Sequence, residues 1–237
     1  MEREVWGGSD RDLVPCTIFV VADETGGQVF GAYDGEAGWR MVGFTLAMAG
    51  LHGERRYLHS HMTAVVPEYQ NRGIGRMLKL FQREDALRRG IQLVEWTFDP
   101  LEIRNAYFNL VRLGAVVRRF KANVYGITSS PLHGGLPTDR LVAEWWLDSP
   151  RVVAALEKGA AETRPSTNEK AVRIVVPSEM LTWKTTDRAK AADVQRQIRE
   201  EFQKWLERGY AVTGLEQSDA GGSYCLEPFA EVQGMTR

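Results

Sequence analysis

Six consecutive residues, Gln70-Asn71-Arg72-Gly73-Ile74-Gly75, have the composition of an anion site. They open a run in which Ile74, Met77, Leu78 and Phe81 recur at i, i+3, i+4 and i+7, which predicts a helix over Gly73–Arg89 with Gly90 as its stop. A helix start leaves backbone N–H groups unpaired and carries partial positive charge. Glycines there let a pyrophosphate approach the main chain, and Arg72, Arg76 and Lys79 add cationic reach toward phosphates. Tight strand–helix packing selects the same Gly-x-Gly, so on spacing alone the two readings weigh equally.

His59 and His61 alternate with Thr63 and Val65 on a strand expected over Tyr57–Val66, which places all four on one face. A neutral imidazole accepts a proton near pH 7, which is what an attacking amine requires of a base. Packing within a sheet is the competing role, and for the pair the two are evenly matched. Glu95 alternates with Thr97 and Asp99 on the next expected strand, Gln92–Phe98, and is a further candidate in the same cleft. Asp99 is better explained as a helix N-cap, with Pro100 at the first helical position and Glu102 completing a capping box. Arg104, Arg112, Arg118 and Arg119 could pair with a carboxylate, although a solvated cationic face explains each one singly. Trp96 and Phe98 read as core, and the Trp145-Trp146 pair as core and interface.

The elements that must hold these groups follow from turn signals. Strands are expected at Thr17–Ala22, Gln28–Tyr33 and Arg40–Ala47, then a polar loop over Gly50–Arg56. After the helix ending at Gly114, strands are expected at Ala115–Phe120, Asn123–Ile127 and Arg140–Leu147, with a Gly/Pro loop over Ser129–Asp139. Ser149-Pro150 caps a short helix ending at Gly159, and Gly159–Lys170 has the composition of a linker. Val172–Val176, a helix capped by Thr186 or Asp187 and stopped by Gly209, and strands at Tyr210–Leu215 and Ser223–Leu226 complete an α/β pattern. Ala191, Val194, Ile198, Phe202 and Trp205 form the inward stripe of that last helix.

The whole chain limits the function classes. Its 237 residues suffice for a large core, and 30 Lys+Arg against 31 Asp+Glu give a formal net charge of −1. No basic field points to nucleic acid. Two distant cysteines, Cys16 and Cys225, make neither a disulfide framework nor a metal-ligand pattern. Met1–Asp10 lacks an apolar core such as a signal peptide carries, and no apolar run is long enough for a bilayer. The expectation is a cytoplasmic protein without metal, membrane or nucleic-acid partners, for which a homodimer is one candidate assembly.

The stretch Val65-Val66-Pro67-Glu68-Tyr69-Gln70-Asn71-Arg72-Gly73-Ile74-Gly75-Arg76-Met77-Leu78 resembles the acyl-CoA-binding motif of the GNAT superfamily of N-acyltransferases. Four further segments are similar to one bacterial and archaeal branch of it: His59-Ser60-His61-Met62, Trp96 to Leu101, Arg104 to Asn109, and Gly135 to Leu141. Some members of that branch are encoded beside N-succinylamino-acid racemases and are assigned N-succinylation of amino acids. The resemblance implies a mixed sheet with two splayed parallel strands, a GNAT-like domain over 1–148 and a C-terminal α/β extension over 149–237. It implies acetyl-CoA or succinyl-CoA as donor and a small-molecule amine, such as an amino acid, as acceptor. Protein N-acetylation and non-catalytic acyl-CoA sensing are the alternatives.

On that resemblance the pantetheine lies in the splay against backbone groups of Val65 and Val66, with the Val65 N–H polarising the thioester carbonyl. Gln70, Asn71, Arg72, Gly73, Ile74, Gly75 and Arg76 hold the phosphates, and Asn105 and Asn109 also contact CoA. His59 stands at the spacing before Gln70 where some members carry a general-base Glu. The chain departs from the family twice. Leu110 stands where many members carry a Tyr that protonates the leaving thiolate, so Tyr107, Asn109, Tyr125 or solvent must serve. The segment before the first expected strand is also short, which implies that the usual N-terminal strand and helices are reduced.

Overall fold

The computed structural model describes residues 1–7, 13–126, 128, 130, 133–158 and 168–229. Its class is mixed α/β, as expected, with nine strands and seven α-helices among the described residues. The chain divides into two compact units, one of Met1–Trp96 with Thr128–Leu132, the other of Thr97–Ile127 with His133–Arg237. The division falls within a strand, at Trp96/Thr97.

The first unit opens with two helices, α1 (Glu2–Trp6) and α2 (Cys16–Glu24). The strand expected at Thr17–Ala22 is therefore helical. Ile18, Phe19 and Ala22 pack with Val5, Trp6 and Val14 on Phe44, Leu46 and Ala64, while Val20 and Val21 are exposed. That is a helical stripe, and its burial overrides the β-branched local preference. Helices thus precede the first strand after all.

Strands β1 (Gln28–Asp34), β2 (Arg40–His52), β3 (Arg55–Val65) and β4 (Leu93–Phe98) follow in that spatial order. The first three pair antiparallel, and β3 pairs with β4 in parallel. The loop expected over Gly50–Arg56 is mostly ladder: Leu51 pairs with Arg56 and His52 with Arg55, leaving Gly53-Glu54 as the turn. Gly53 has φ 61°, a left-handed conformation that glycine adopts freely.

Between β3 and β4 lie a short 3₁₀ turn (Pro67–Tyr69) and α3 (Ile74–Arg88). The helix is where periodicity predicts it, but its buried residues are Leu78, Lys79, Gln82 and Ala86. Met77 and Phe81 are exposed, and Phe81 meets only the edge-on ring of Phe30 among aromatic partners in the described residues.

In the second unit, α4 (Ile103–Tyr107) continues as a π-helical turn, Phe108–Arg112. The helix begins at Ile103 after Glu102, so Asp99 is not its N-cap; the Asp99 carboxylate accepts from the Leu101 N–H at 2.8 Å. Strands β5 (Val116–Lys121) and β6 (Arg140–Trp146), helix α5 (Pro150–Lys158), strand β7 (Val172–Pro177), helices α6 (Met180–Thr186) and α7 (Arg188–Glu207), and the hairpin β8 (Tyr210–Ser218) and β9 (Gly221–Pro228) complete it. The strand order is β6-β5-β8-β9-β7. The strand expected at Asn123–Ile127 is a turn over its described residues, with Asn123 at φ 46°. The linker expected over Gly159–Lys170 lies outside the described residues except for its last three. Asp187 caps α7 through the Lys190 N–H at 3.0 Å, and Phe202 of its inward stripe packs against Phe120 and Tyr224.

Candidate acyl-CoA site

The loop from Gln70 to Gly75 joins the end of β3 to α3. Asn71 at φ 61° and Gly73 at φ 84° make the two left-handed steps that turn the chain into the helix. Gly73 is the N-cap and supplies no side-chain cap. The first-turn amides are therefore presented past a residue without a Cβ. A Cβ added at Gly73 would meet nothing within 4 Å, and one at Gly75 only the Val65 Cγ2 at 4.0 Å. Packing does not demand these glycines, whereas a ligand that approaches the backbone would.

The loop is braced from three sides. The Gln70 amide nitrogen donates to the Val65 carbonyl at 3.0 Å, so this side chain holds the strand end. The Tyr69 hydroxyl donates to Asp34 at 2.6 Å, which lowers the Asp34 pKa and raises that of the tyrosine. The Arg72 guanidinium lies over the Tyr69 ring, 4.8 Å from its centre, and Arg72 is exposed. Arg76 stands in the first turn of α3. Lys79, expected to reach phosphates, does not: it is buried beneath the sheet, its Nζ 2.7 Å from the Ser60 hydroxyl and 4.1 Å from the centre of the Trp96 ring.

The parallel ladder between β3 and β4 has two rungs, Leu58 with Val94 and His59 with Glu95. From Ser60 to Val65, β3 continues on its β2 side only, which is the splay implied by the resemblance. Val66 does not offer a free amide, because its N–H donates to the Val42 carbonyl at 3.0 Å and its carbonyl accepts from Tyr69. Strand alternation turns the Val65 N–H toward the opposite, open edge.

A β-bulge redistributes the side chains of β3. Ser60 pairs with Ala47 and Met62 with Leu46, so His61 has no directly opposed residue. Ser60 and Val65 consequently both face α3. His59 and His61 do not share Val65's face. They lie on the other side, their rings 6.2 Å apart, and Glu2 of α1 acts electrostatically on His61. His61 is exposed, yet desolvation by its surroundings holds its pKa below the usual histidine value, the Glu2 carboxylate opposing this. His61 is therefore neutral near pH 7.

Glu95 is His59's register partner and lies on the same face. It is buried, and its carboxylate meets the His52 Nε2 at 3.0 Å. His52 in turn stacks on Tyr57, ring centres 4.1 Å apart and planes 2° from parallel. His52 and Tyr57 join this cluster only because β2 extends through what the composition marks as a loop. The tight Gly53-Glu54 turn is the signal that could have revealed it.

Asn105 and Asn109 belong to the second unit. Asn105 is exposed and Asn109 buried within the π turn, the Asn109 amide nitrogen 3.4 Å from the Asn105 side-chain oxygen. Leu110 is buried in the same turn. Tyr125, half exposed, has its hydroxyl 2.8 Å from that of Thr97, and the Arg140 guanidinium lies over its ring. The expected carboxylate-binding arginines are partly engaged, Arg118 and Arg119 both with buried Glu144. Among the described residues no cluster of three or more His, Cys, Asp or Glu is placed to hold a metal, and no helix is long and apolar enough to cross a membrane.

No protein-family model matches the chain, and no curated protein matches it in sequence. Among solved structures, it is similar to a GNAT family acetyltransferase from Elizabethkingia anophelis with acetyl-CoA bound, at 14% identity over 58% of this chain and 94% of that one, TM-score 0.41. It is also similar to the ribosomal-protein-S18-alanine N-acetyltransferase from Escherichia coli, at 16% identity over 59% of this chain and 81% of that one, TM-score 0.45.

Proposed function

We propose that the protein transfers an acyl group from acetyl-CoA or succinyl-CoA to the primary amine of a small molecule, an amino acid being the preferred acceptor. The observation that carries this is the junction of an uncapped, glycine-lined helix start with a parallel ladder that stops after two rungs. The first offers amides to a pyrophosphate; the second leaves one edge of β3 open beside it. Arg72, steadied on Tyr69, and Arg76 add cationic charge at the same end. The Val65 N–H, turned to the open edge, meets the pantetheine arm or its thioester. The choice of an amino acid rests on the resemblance of the four further segments to the racemase-associated branch.

The reaction is direct attack. The acceptor approaches the face that carries His59, His61 and Glu95, a neutral imidazole takes its proton, and nitrogen adds to the thioester carbon. Glu95, held by His52, orients the base side of the cleft. The free cysteines Cys16 and Cys225 suit a cytoplasmic setting.

Thermal melting with acetyl-CoA and succinyl-CoA tests this reading. A ligand at ten times its Kd stabilises the fold by about 1.4 kcal/mol. Thiol release with a panel of amines then separates turnover from binding alone. No melting shift at millimolar CoA ester would overturn the proposal.

A further inference from the structure

Lys79 is the one buried ammonium of the first unit among the described residues, and the site above makes no use of it. Its Nζ donates to the Ser60 hydroxyl at 2.7 Å and to the Gln82 side-chain oxygen at 3.1 Å, and it sits over the Trp96 ring. Among the described residues no carboxylate lies within ion-pair distance of it. Asp85, three residues beyond Gln82 on the same helix, is engaged by Gln28, Arg88 and Arg89. The elements packed on Lys79 thus bring it a hydroxyl from β3, an indole from β4 and an amide from its own helix. Burial without a counter-ion pushes the ammonium down to about 7.

The place of Ser60 matters as much. It is the first residue of β3 beyond the last rung with β4, at the vertex of the splay. Its oxygen accepts from Lys79, and no described residue accepts its own proton. A pantetheine arm has about a dozen chain atoms, the backbone of roughly four residues, and spans about 14 Å when extended. From Val65, beside the helix start, to Ser60 is about 16 Å along the strand at ~3.3 Å per residue. An arm anchored at the loop therefore carries its sulfur toward Ser60. The Val65 N–H then meets the arm rather than the thioester.

Resting on the acyl-transfer reading, we infer that Lys79, through the Ser60 hydroxyl, donates the proton that the departing CoA thiolate requires. The C–S bond of the tetrahedral intermediate breaks and its electron pair moves to sulfur. The Ser60 proton passes to sulfur, a Lys79 proton passes to the Ser60 oxygen, and neutral Lys79 is reprotonated from solvent before the next turnover. The products are the amide and the CoA thiol. A thiolate whose conjugate thiol has a pKa of about 8.5 takes a proton readily from the conjugate acid of a weaker base. This supplies an acid where Leu110 replaces the tyrosine, and it comes from the sheet face opposite His59 and His61.

The test compares wild type with Lys79→Met and Ser60→Ala, measuring kcat against pH by thiol release and the melting shift with acetyl-CoA. Both variants should keep the shift and lose roughly 10²–10⁴-fold in kcat. Both should also lose the fall in rate as pH rises through about 7 to 8, which a purely structural loss would leave in place. Ser60→Ala leaves the lysine in position, so it carries the test if Lys79→Met folds poorly. Near-normal kcat with an intact alkaline limb in Ser60→Ala overturns the inference while wild-type turnover stands. Absence of both shift and turnover in wild type overturns the acyl-transfer reading itself, and this step with it.

Discussion

Gly73 and Gly75 separate ligand contact from packing at single positions. Gly73 has φ 84° and open space where a Cβ would sit. A side chain there costs about 1–2 kcal/mol of backbone strain and displaces nothing. Gly73→Glu should therefore remain folded but abolish the acetyl-CoA melting shift, since it adds a negative charge at the anion site. A shift equal to that of wild type would remove the loop from the site. The histidines allow a second separation. Replacing the true base with Ala should lower kcat by roughly 10²–10⁴-fold and flatten the acidic limb of the pH–rate profile, with the CoA shift preserved. That limb is shifted below the usual histidine value if His61 is the base, because desolvation lowers its pKa. Normal rates and profiles in both His59→Ala and His61→Ala would return both residues to a structural role.

At the scale of elements, local signals located most of what they could express. The end of β3, the loop and α3 were legible because glycine, proline and helical spacing act within a few residues. The rotation of α3 was not. Periodicity puts Met77 and Phe81 inward, but the face that packs carries Lys79 and Gln82, a choice made by Ser60 and Trp96 from distant strands. The face of the histidines was equally hidden, because one extra residue opposite Leu46/Ala47 reverses the alternation that the sequence alone suggests. α2 was missed for the same reason: Val20 and Val21 look like a strand until α1 and β2 give Ile18 and Phe19 a helical stripe to bury. The C-terminal elements were legible except for the short helix α6 at Met180–Thr186, and α7 allows a direct check. Phe202 is fully buried between Phe120 and Tyr224. Phe202→Ala should cost about 3–5 kcal/mol in urea unfolding of the full chain. A loss below 1 kcal/mol would mean that this stripe does not anchor the helix.

Stability belongs to the whole molecule, and Lys79 gives it a pH dependence of definite sign. In the unfolded chain a lysine titrates near 10.4; in the fold this one titrates at about 7. Between those values the unfolded state holds a proton that the folded state has released, so the free energy of unfolding rises with pH across the window. Below about 7 both states are protonated and this contribution is flat. Lys79→Met removes the titration but also leaves the Ser60 and Gln82 groups without their donor, so the absolute stability of the variant mixes two effects. The slope does not. Urea unfolding of wild type and Lys79→Met at pH 7, 8 and 9 should show wild type gaining on the variant by roughly 1.4 kcal/mol per pH unit at most. All other titrating groups are common to both chains and cancel in the difference. A constant gap from pH 7 to 9 would mean that Lys79 keeps its proton throughout, and a lysine that does so is a poor acid for a departing thiolate. The same measurement thus bears on the buried charge as a feature of the fold and as a source of protons for the reaction.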